Sequence, residues 1–271
     1  MNDKKKSCEE FNRLLEIMDE LRNKCPWDRK QTNDTLRKLT IEETFELADA
    51  IISGDNDGIR NELGDLMLHI VFYAKIASEN NLFSMAEVLK GINEKLIYRH
   101  PHVFDNVKVS GSREVERNWE HLKLNENNGY KPVLSGVPSS LPAVIKANRI
   151  QEKVRGVGFD WEKREQVWDK VTEEITELKK EIDDHNHDAI ESELGDVLFS
   201  IVNASRLYNI DPEAALEKTN RKFIKRFNYL EKETLSKGIS LHDMSLDEMN
   251  VIWEKAKKQD KDPERQHQPK R

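Results

Sequence analysis

The sequence predicts an all-α protein made of two tandem helical bundles that are related by an internal repeat. Apolar residues recur at helical spacing along most of the chain, and no segment is typical of a β-strand. In addition, one acidic pattern occurs twice. We therefore expect each half of the chain to fold as a small set of helices whose apolar faces pack together.

The repeat consists of two short acidic motifs separated by a polar stretch, and both motifs are displaced by the same 131 positions. The four motifs are, in chain order, EETFE at 42–46, ELGD at 62–65, EEITE at 173–177 and ELGD at 193–196. With a small shift, 93–99 then aligns with 220–226, and Trp119 aligns with Trp253. Chance is a poor explanation for the same residues in the same order.

The predicted helices are bounded by residues that start or stop a helix. Pro26 ends the first one, Ser84 and Glu87 form a capping box, and Asp211 with Pro212 begins a later helix. The predicted helices lie at 7–23, 32–53, 59–79, 84–99, 112–124, 143–155, 164–182, 188–208, 212–238 and 246–257.

The loops divide the chain into four predicted parts. These are an N-terminal helical domain at 1–110, a linker with a short helix at 111–142, a C-terminal helical domain at 143–257 and a disordered tail at 258–271. The second long helix of each half is strongly apolar. Since one small domain would not bury all of that surface, we expect a dimer.

Composition narrows the class of protein. The net charge of −7 and the pI near 5.7 argue against DNA or RNA binding. Cys8 and Cys25 lack CxxC spacing and are typical of a reduced cytoplasmic protein. The first ten residues do not resemble a signal peptide, and the longest apolar run, 66–77, is too short to span a bilayer. We therefore expect a soluble cytoplasmic protein without membrane contact.

Helical geometry predicts a metal site in the second repeat. Residues three apart share a helix face, so Glu174 and Glu177 project together, as do Glu193 and Asp196. The polar run at 183–188 would let the chain reverse and place the two helices about 8–10 Å apart, which would bring the four carboxylates together. A hard divalent cation removes their mutual repulsion. Oxygen-only ligands favour Mg²⁺, with Mn²⁺ as a possible substitute, over zinc.

The other candidate residues are basic or aromatic. Lys222 and Arg226 share a helix face and would hold phosphates, although an exposed basic face has the same pattern. Trp253 or Trp161 would stack on a base, and a buried core tryptophan is an equal alternative for each. A possible second site in the first repeat comprises Glu43, Glu46, Glu62, Asp65, Lys95 and Arg99.

Besides the acidic arrays, the chain contains CPWD at 25–28, YRHPHVF at 98–104 and VGFDW at 157–161. Together these segments resemble the MazG family of nucleoside triphosphate pyrophosphohydrolases, which belongs to the all-α NTP pyrophosphatase superfamily. The resemblance covers about residues 11–257, and its motifs together are highly specific. QTN at 31–33 departs from the family, which more often has histidine in the third place.

The resemblance implies Mg²⁺-dependent hydrolysis of NTP or dNTP between the α- and β-phosphates, with broad base specificity, and a homodimer that limits nucleotide pools. Glu173 would orient a ligand or activate water, while Lys222, Arg226 and Trp253 would bind the substrate. The metal ligands would be Glu174, Glu177, Glu193 and Asp196.

One asymmetry between the repeats predicts which half is catalytic. Lys170 lies one turn before Glu173 and Glu174, where it would reach a phosphate, whereas the equivalent position in the first repeat is Leu39. Two-domain members of the family also tend to carry their activity in the second half. We therefore predict a catalytic C-terminal half and a weak, structural or regulatory N-terminal half.

Three alternative classes of protein are weaker than this interpretation. A di-iron carboxylate protein needs Glu-x-x-His pairs, which neither array contains. A non-enzymatic, metal-binding helical interaction protein would leave the acids solvated, and 35% charged residues make acidic faces common. A narrower (d)NTP pyrophosphatase, such as a dUTPase-like enzyme, would share the phosphate end of the site.

Overall fold

The structure, a computed structural model, describes residues 2–111, 114–115, 118–119, 122 and 132–260. Within these ranges the chain is helical and contains no β-strand, as predicted. The chain divides into two units, Met1–Lys131 and Pro132–Arg271. No described helix is long and apolar enough to cross a membrane.

Unit 1 is built around a helical hairpin. Its helices are α1 (Asn2–Lys24), α2 (Asn33–Ser53), α3 (Asn56–Glu79), α4 (Met85–Arg99) and α5 (Pro101–Phe104). The hairpin of α2 and α3 turns at Gly54, whose φ of 73° favours glycine. Asp55 then caps α3 by accepting hydrogen bonds from the amides of Asp57 and Gly58. This tight turn holds the two acidic motifs of the first repeat opposite each other.

Unit 2 repeats the hairpin with a longer turn. Its helices are α6 (Ala143–Gly156), α7 (Val167–Asp183), α8 (His187–Leu207), α9 (Pro212–Leu235) and α10 (Leu246–Asp260). The hairpin consists of α7 and α8, and His185 adopts a positive φ of 55° in the turn between them. Helix α6 packs against α8, and α9 packs against α10 and α6.

The predicted helix starts are confirmed where a capping residue marks them. Ser84 and Glu87 exchange capping hydrogen bonds at the start of α4, and Asp211 accepts from the Ala214 amide at the start of α9. Helix α1 begins five residues earlier than predicted, because its polar first turns give no apolar periodicity. The predicted helix at 112–124 lies largely outside the described residues, as do residues 261–271 of the predicted disordered tail.

Arg22 ties three parts of unit 1 together. Its Nε donates to Glu79 Oε1 at the end of α3 over 3.0 Å, and its Nη1 donates to the backbone carbonyls of Asp28 and Gln31. The guanidinium also lies over the Phe72 ring, 5.6 Å from its centroid. The hydrogen bond from Arg22 lowers the pKa of Glu79, against a smaller opposing effect of burial.

We predict that Glu79→Gln destabilises the protein by about 1 kcal/mol at neutral pH, since a charge-assisted bond is lost at a partly exposed site. Because the folded-state pKa of Glu79 is lowered, its contribution is present above the unfolded pKa and is lost as pH falls through the folded pKa. Urea unfolding at pH 7 and pH 3 would measure both effects.

Glu20→Gln is the matched control for this prediction, because Glu20 pairs with Lys24 on the exposed surface of α1. We expect a change below about 0.5 kcal/mol at either pH. Equal destabilisation by the two variants, or a Glu79→Gln deficit that persists at pH 3, would contradict the assigned role of Arg22.

Candidate functional site

The α7–α8 hairpin brings three carboxylates of unit 2 together. Helix α7 contributes Glu174 and Glu177, and α8 contributes Glu193. One oxygen from each side chain lies within 4.8 Å of the others. Glu174 is 7% exposed, so this cluster reaches into the protein and is not an ordinary solvated helix face.

Further acids surround Glu193 and raise its pKa. Burial has the largest effect, followed by the charges of Glu177, Asp196 and Glu174, with a smaller contribution from Glu181. The predicted four carboxylates therefore interact, although Asp196 does not belong to the tight group of three. Each of these negative charges favours protonation of Glu193 or the arrival of a cation.

Lys170 partly compensates this negative charge. Its ammonium donates to Glu173 over 2.9 Å and lies 2.8 Å from a Glu174 oxygen. These two contacts raise the pKa of Lys170 well above its usual value, so the ammonium keeps its proton. Lys170 therefore lies beside Glu173 and Glu174, at the edge of the acidic cluster.

Unit 1 contains the equivalent cluster. Glu43 on α2 lies with Glu62 and Asp65 on α3, again with oxygens within 4.8 Å of one another. Burial raises the pKa of Glu43, and the charges of Asp65, Glu46 and Glu62 raise it further. Glu46 therefore contributes charge but lies outside the group of three.

The donor atoms of both clusters fit a hard divalent cation. All are carboxylate oxygens, which suit Mg²⁺ or Mn²⁺. Octahedral Mg²⁺ with bonds of about 2.1 Å needs ligand oxygens no more than about 4.2 Å apart, so small rotations of the side chains would suffice. Burial, and after it the charges of the neighbouring acids, raise the pKa values of Glu43 and Glu193, and a bound cation would oppose both effects.

A cavity of about 590 Å³ opens beside the acidic cluster of unit 2. Lys170, Glu174 and Asp196 line one part of it. The apolar and aromatic lining includes Ile150, Val154, Phe159, Trp161, Val167 and Phe199. A cavity of this size with a few polar groups is typical of a site for a small organic ligand.

Two hydrogen-bonded groups shape the other walls of the cavity. Arg206 is paired with Asp160, and its Nη2 also donates to Asn203 Oδ1 over 2.8 Å. Burial alone would raise the pKa of Asp160, but hydrogen bonds from Arg206 and the Trp161 amide keep it below its usual value. Gln151, which is 3% exposed, donates from Nε2 to the Phe199 carbonyl over 2.8 Å.

Four positions that line the cavity on α7 and α8 correspond in unit 1 to residues of the hydrophobic core or packed against it. Val167 and Asn203 correspond to Leu36 and Phe72, which are buried in that core. Lys170 and Phe199 correspond to Leu39 and Leu68, which pack against it. Ser200 corresponds to His69, whose pKa is lowered by burial. Packed apolar side chains thus occupy in unit 1 the positions of Val167, Lys170, Phe199 and Asn203, which line the cavity in unit 2.

Of the predicted basic and aromatic residues, Lys170 and Trp161 line this cavity, whereas Lys222, Arg226 and Trp253 do not. Arg226 donates from Nε to Asp260 over 2.7 Å, and Lys222 is exposed on the same helix. The Trp253 ring packs against Phe223, with centroids 5.0 Å apart. In unit 1, Arg99 lies over the Trp119 ring, and Lys95 is exposed.

Some residues of the site were not identified from the sequence. Glu181 follows Glu177 by one helical turn, a spacing that would have included it in the acidic set. In the sequence, Asp160 stands out only as part of the VGFDW motif. Gln151 and Arg206 carry no local signal, because their places in the cavity wall depend on how α6 and α8 pack.

An all-α chain with a carboxylate cluster between paired helices, occurring twice, defines the class of protein, and comparison with known proteins identifies the family. The model of the MazG nucleotide pyrophosphohydrolase domain matches residues 31–104 and 162–230, which is more than half of the chain. The chain belongs to the MazG nucleotide pyrophosphohydrolase family. The predicted class, a hydrolase that acts on phosphoanhydride bonds, is confirmed.

Similar proteins span nearly the whole chain. The nucleoside triphosphate pyrophosphohydrolase/pyrophosphatase MazG of Thermotoga maritima is 42% identical over 250 residues, which is 91% of this chain and 95% of the relative. The nucleoside triphosphate pyrophosphohydrolase of Escherichia coli K12 is 40% identical over 260 residues, which is 93% of this chain and 99% of the relative. The uncharacterized protein YabN of Bacillus subtilis is 42% identical over 253 residues, covering 92% and 52%.

We predict that Glu193→Gln raises the melting temperature of the metal-free protein, because it removes one of several repelling charges. The sign follows from the raised pKa of Glu193, which makes the ionised form unfavourable in the folded state. The same variant should show a smaller increase in melting temperature on addition of Mg²⁺. Calorimetry in EDTA and in MgCl₂ would measure both changes.

Glu191→Gln is the control, since Glu191 is exposed on the same helix and lies outside the carboxylate cluster. We expect no change in either condition. A Glu193→Gln variant that is less stable in EDTA, and that keeps the full Mg²⁺ effect, would contradict a cation site at this cluster.

Proposed function

We propose that the chain hydrolyses nucleoside triphosphates, NTP or dNTP, to the monophosphate and pyrophosphate, with Mg²⁺ held by Glu174, Glu177, Glu193 and Asp196. The observation that supports this most directly is the cavity of unit 2, which opens beside that acidic cluster. Such a cavity has room for a nucleoside while the polyphosphate lies at the acids. The names of the similar proteins point to the same substrate class.

The acids and Lys170 have different roles at the phosphate end of the proposed site. A divalent cation bound there would supply positive charge for the polyphosphate and increase the acidity of the attacking water. Glu173, which is exposed and hydrogen-bonded to Lys170, is placed to accept a proton from that water or to orient the lysine. The Lys170 ammonium would bind a phosphate oxygen once the substrate neutralises part of the acidic cluster.

Lys222, Arg226 and Trp253 remain predicted substrate ligands. Arg226 is already held by Asp260, and the indole of Trp253 packs against Phe223. A triphosphate at Arg226 would therefore compete with the Asp260 carboxylate for the guanidinium.

We also propose that unit 2 carries the catalytic activity and that unit 1 has a structural or regulatory role. Both units hold a carboxylate cluster, but the cavity-lining positions Lys170 and Asn203 are Leu39 and Phe72 in unit 1. Those apolar side chains belong to or pack against the core of unit 1. A triphosphate at the unit 1 acids would find no counterpart to the Lys170 ammonium.

The test of this function is product analysis on a panel of NTPs and dNTPs, with and without Mg²⁺. We expect monophosphate and pyrophosphate from many nucleotides, since broad base specificity is part of the proposal. Glu174→Gln should lower kcat at least about 100-fold, whereas the matched variant Glu43→Gln should stay within about twofold of the wild type.

The opposite pattern of the two variants would place the activity in unit 1. Turnover of a single nucleotide would favour the narrower (d)NTP pyrophosphatase. No hydrolysis of any triphosphate, together with retained Mg²⁺ binding, would favour a non-enzymatic metal-binding protein.

We further propose a cytoplasmic homodimer. The α2–α3 hairpin leaves a row of apolar side chains more than 40% exposed, which a second chain would cover. These are Ile41, Phe45, Leu63, Met67 and Ile70. Both cysteines are free thiols, which suits a reducing compartment.

Light scattering after size exclusion should give twice the 31.7 kDa mass of the chain. Replacing Phe45 and Leu63 by serine should shift the protein towards the monomer without unfolding it, because both side chains are exposed. Trp27→Ser is the control, since Trp27 is 58% exposed outside the hairpin. A wild-type mass of one chain would refute the dimer.

A further inference from the structure

The cavity of unit 2 contains a buried amide with an unused hydrogen-bond acceptor. Gln151 on α6 lines the cavity and is 3% exposed. Among the described residues, its Oε1 has no hydrogen-bond partner. Leaving a buried acceptor unsatisfied is costly, so such an atom calls for a donor from outside the chain.

The orientation of this amide is fixed by its neighbour. The backbone carbonyl of Phe199 can only accept a hydrogen bond, and it lies 2.8 Å from the nitrogen of the Gln151 amide. Rotating the amide by 180° would set two acceptors against each other. The NH₂ group therefore stays on Phe199, and Oε1 is the end of the side chain that remains for a ligand.

A second amide in the cavity wall offers the complementary group. Asn203 Oδ1 accepts hydrogen bonds from Arg206 Nε over 3.1 Å and from Arg206 Nη2 over 2.8 Å. Its Nδ2 is therefore the remaining end, and it forms no hydrogen bond within the described part of the chain. The cavity thus presents one acceptor and one donor between apolar walls.

We propose that this cavity binds the nucleobase of the substrate, with Gln151 Oε1 accepting a hydrogen bond from an N–H group of the base. The inference rests on the proposed function, because it takes a nucleoside triphosphate as the ligand. Asn203 Nδ2 donates to an acceptor of the same base, and Trp161 supplies an aromatic face in the cavity wall.

Charge and polarity place the base, and not the phosphates, at Gln151. An amide oxygen repels phosphate oxygens, and the one buried guanidinium of the described cavity lining, that of Arg206, is neutralised by Asp160. The charged groups Lys170, Glu174 and Asp196 belong to the phosphate end of the same cavity. Ile150, Val154 and Phe199 provide apolar surface that suits a flat ring.

This arrangement is compatible with many bases but requires that the base carry an N–H donor. Adenine, cytosine, guanine, uracil and thymine each present at least one N–H donor together with an acceptor. A single amide acceptor therefore admits all of them. A base without any N–H donor would leave Gln151 Oε1 unsatisfied and would be a poorer substrate.

The experiment compares ATP with purine riboside triphosphate, which lacks the 6-amino group and has no N–H donor on the ring edge. For the wild-type protein with Mg²⁺, we expect kcat/KM for ATP to exceed that for purine riboside triphosphate about 10-fold. Gln151→Met keeps the side-chain length but removes the acceptor. In this variant, the ratio of kcat/KM for ATP to kcat/KM for purine riboside triphosphate should fall to about 1. ATP and dATP are measured alongside, because a ribose hydroxyl is also a donor.

The outcomes separate the two proposals. If the wild type hydrolyses ATP and purine riboside triphosphate equally well, the role of Gln151 is overturned while the proposed function stands. Gln151→Met could instead change the ratio of the kcat/KM values for ATP and dATP and leave that for ATP and purine riboside triphosphate unchanged. In that case Gln151 binds the sugar and the inference is overturned. If the wild type hydrolyses no triphosphate, the proposed function fails and this inference fails with it.

The wild-type comparison of the two triphosphates needs no variant, so the inference remains testable if Gln151→Met does not fold. Lys153→Met is the matched control, because Lys153 is a buried residue of the same helix that donates to the Val133 carbonyl and does not line the cavity. For Lys153→Met, the ratio of the kcat/KM values for ATP and purine riboside triphosphate should equal that of the wild type.

Discussion

The repulsion between carboxylates on facing helices is the constraint around which both units are built. In each unit a helical hairpin brings three acids within 4.8 Å of one another, on a scaffold that would be more stable without them. The packing of the two helices in each hairpin holds the acids in place against this repulsion. A divalent cation would relieve this repulsion, and the hairpin already holds close together the oxygens that would bind it.

The two units show how one scaffold supports different sites. Both keep the acidic cluster, and the difference lies in the adjacent wall, where Lys170 and Asn203 replace Leu39 and Phe72. An ammonium and an amide need space and hydrogen-bonding partners, which Glu173, Glu174 and Arg206 provide. The leucine and the phenylalanine need only apolar neighbours, which the core of unit 1 supplies.

Much of the fold and the acidic cluster of the candidate site could be predicted from the sequence, because both depend on local spacing. Glu174 and Glu177 share a helix face wherever a helix forms, and the capping residue Ser84 marks the start of α4 by its own chemistry. Gln151 and Asp160 could not be placed in this way. They reach the cavity through the packing of α6 and the loop after it, which no local pattern encodes.

The packing of the unit 1 core also affects the folding stability of the chain. A substrate-sized void forfeits the dispersion contacts that a filled interior would make, so every enzyme with such a site gives up part of its folding stability. In this chain a cavity lies beside the acids of unit 2, whereas at the corresponding positions of unit 1 Leu36, Leu39 and Phe72 belong to the core or pack against it and make such contacts. The two copies of the hairpin thus differ in how the wall beside the acids is filled, and this difference affects local packing as well as chemistry.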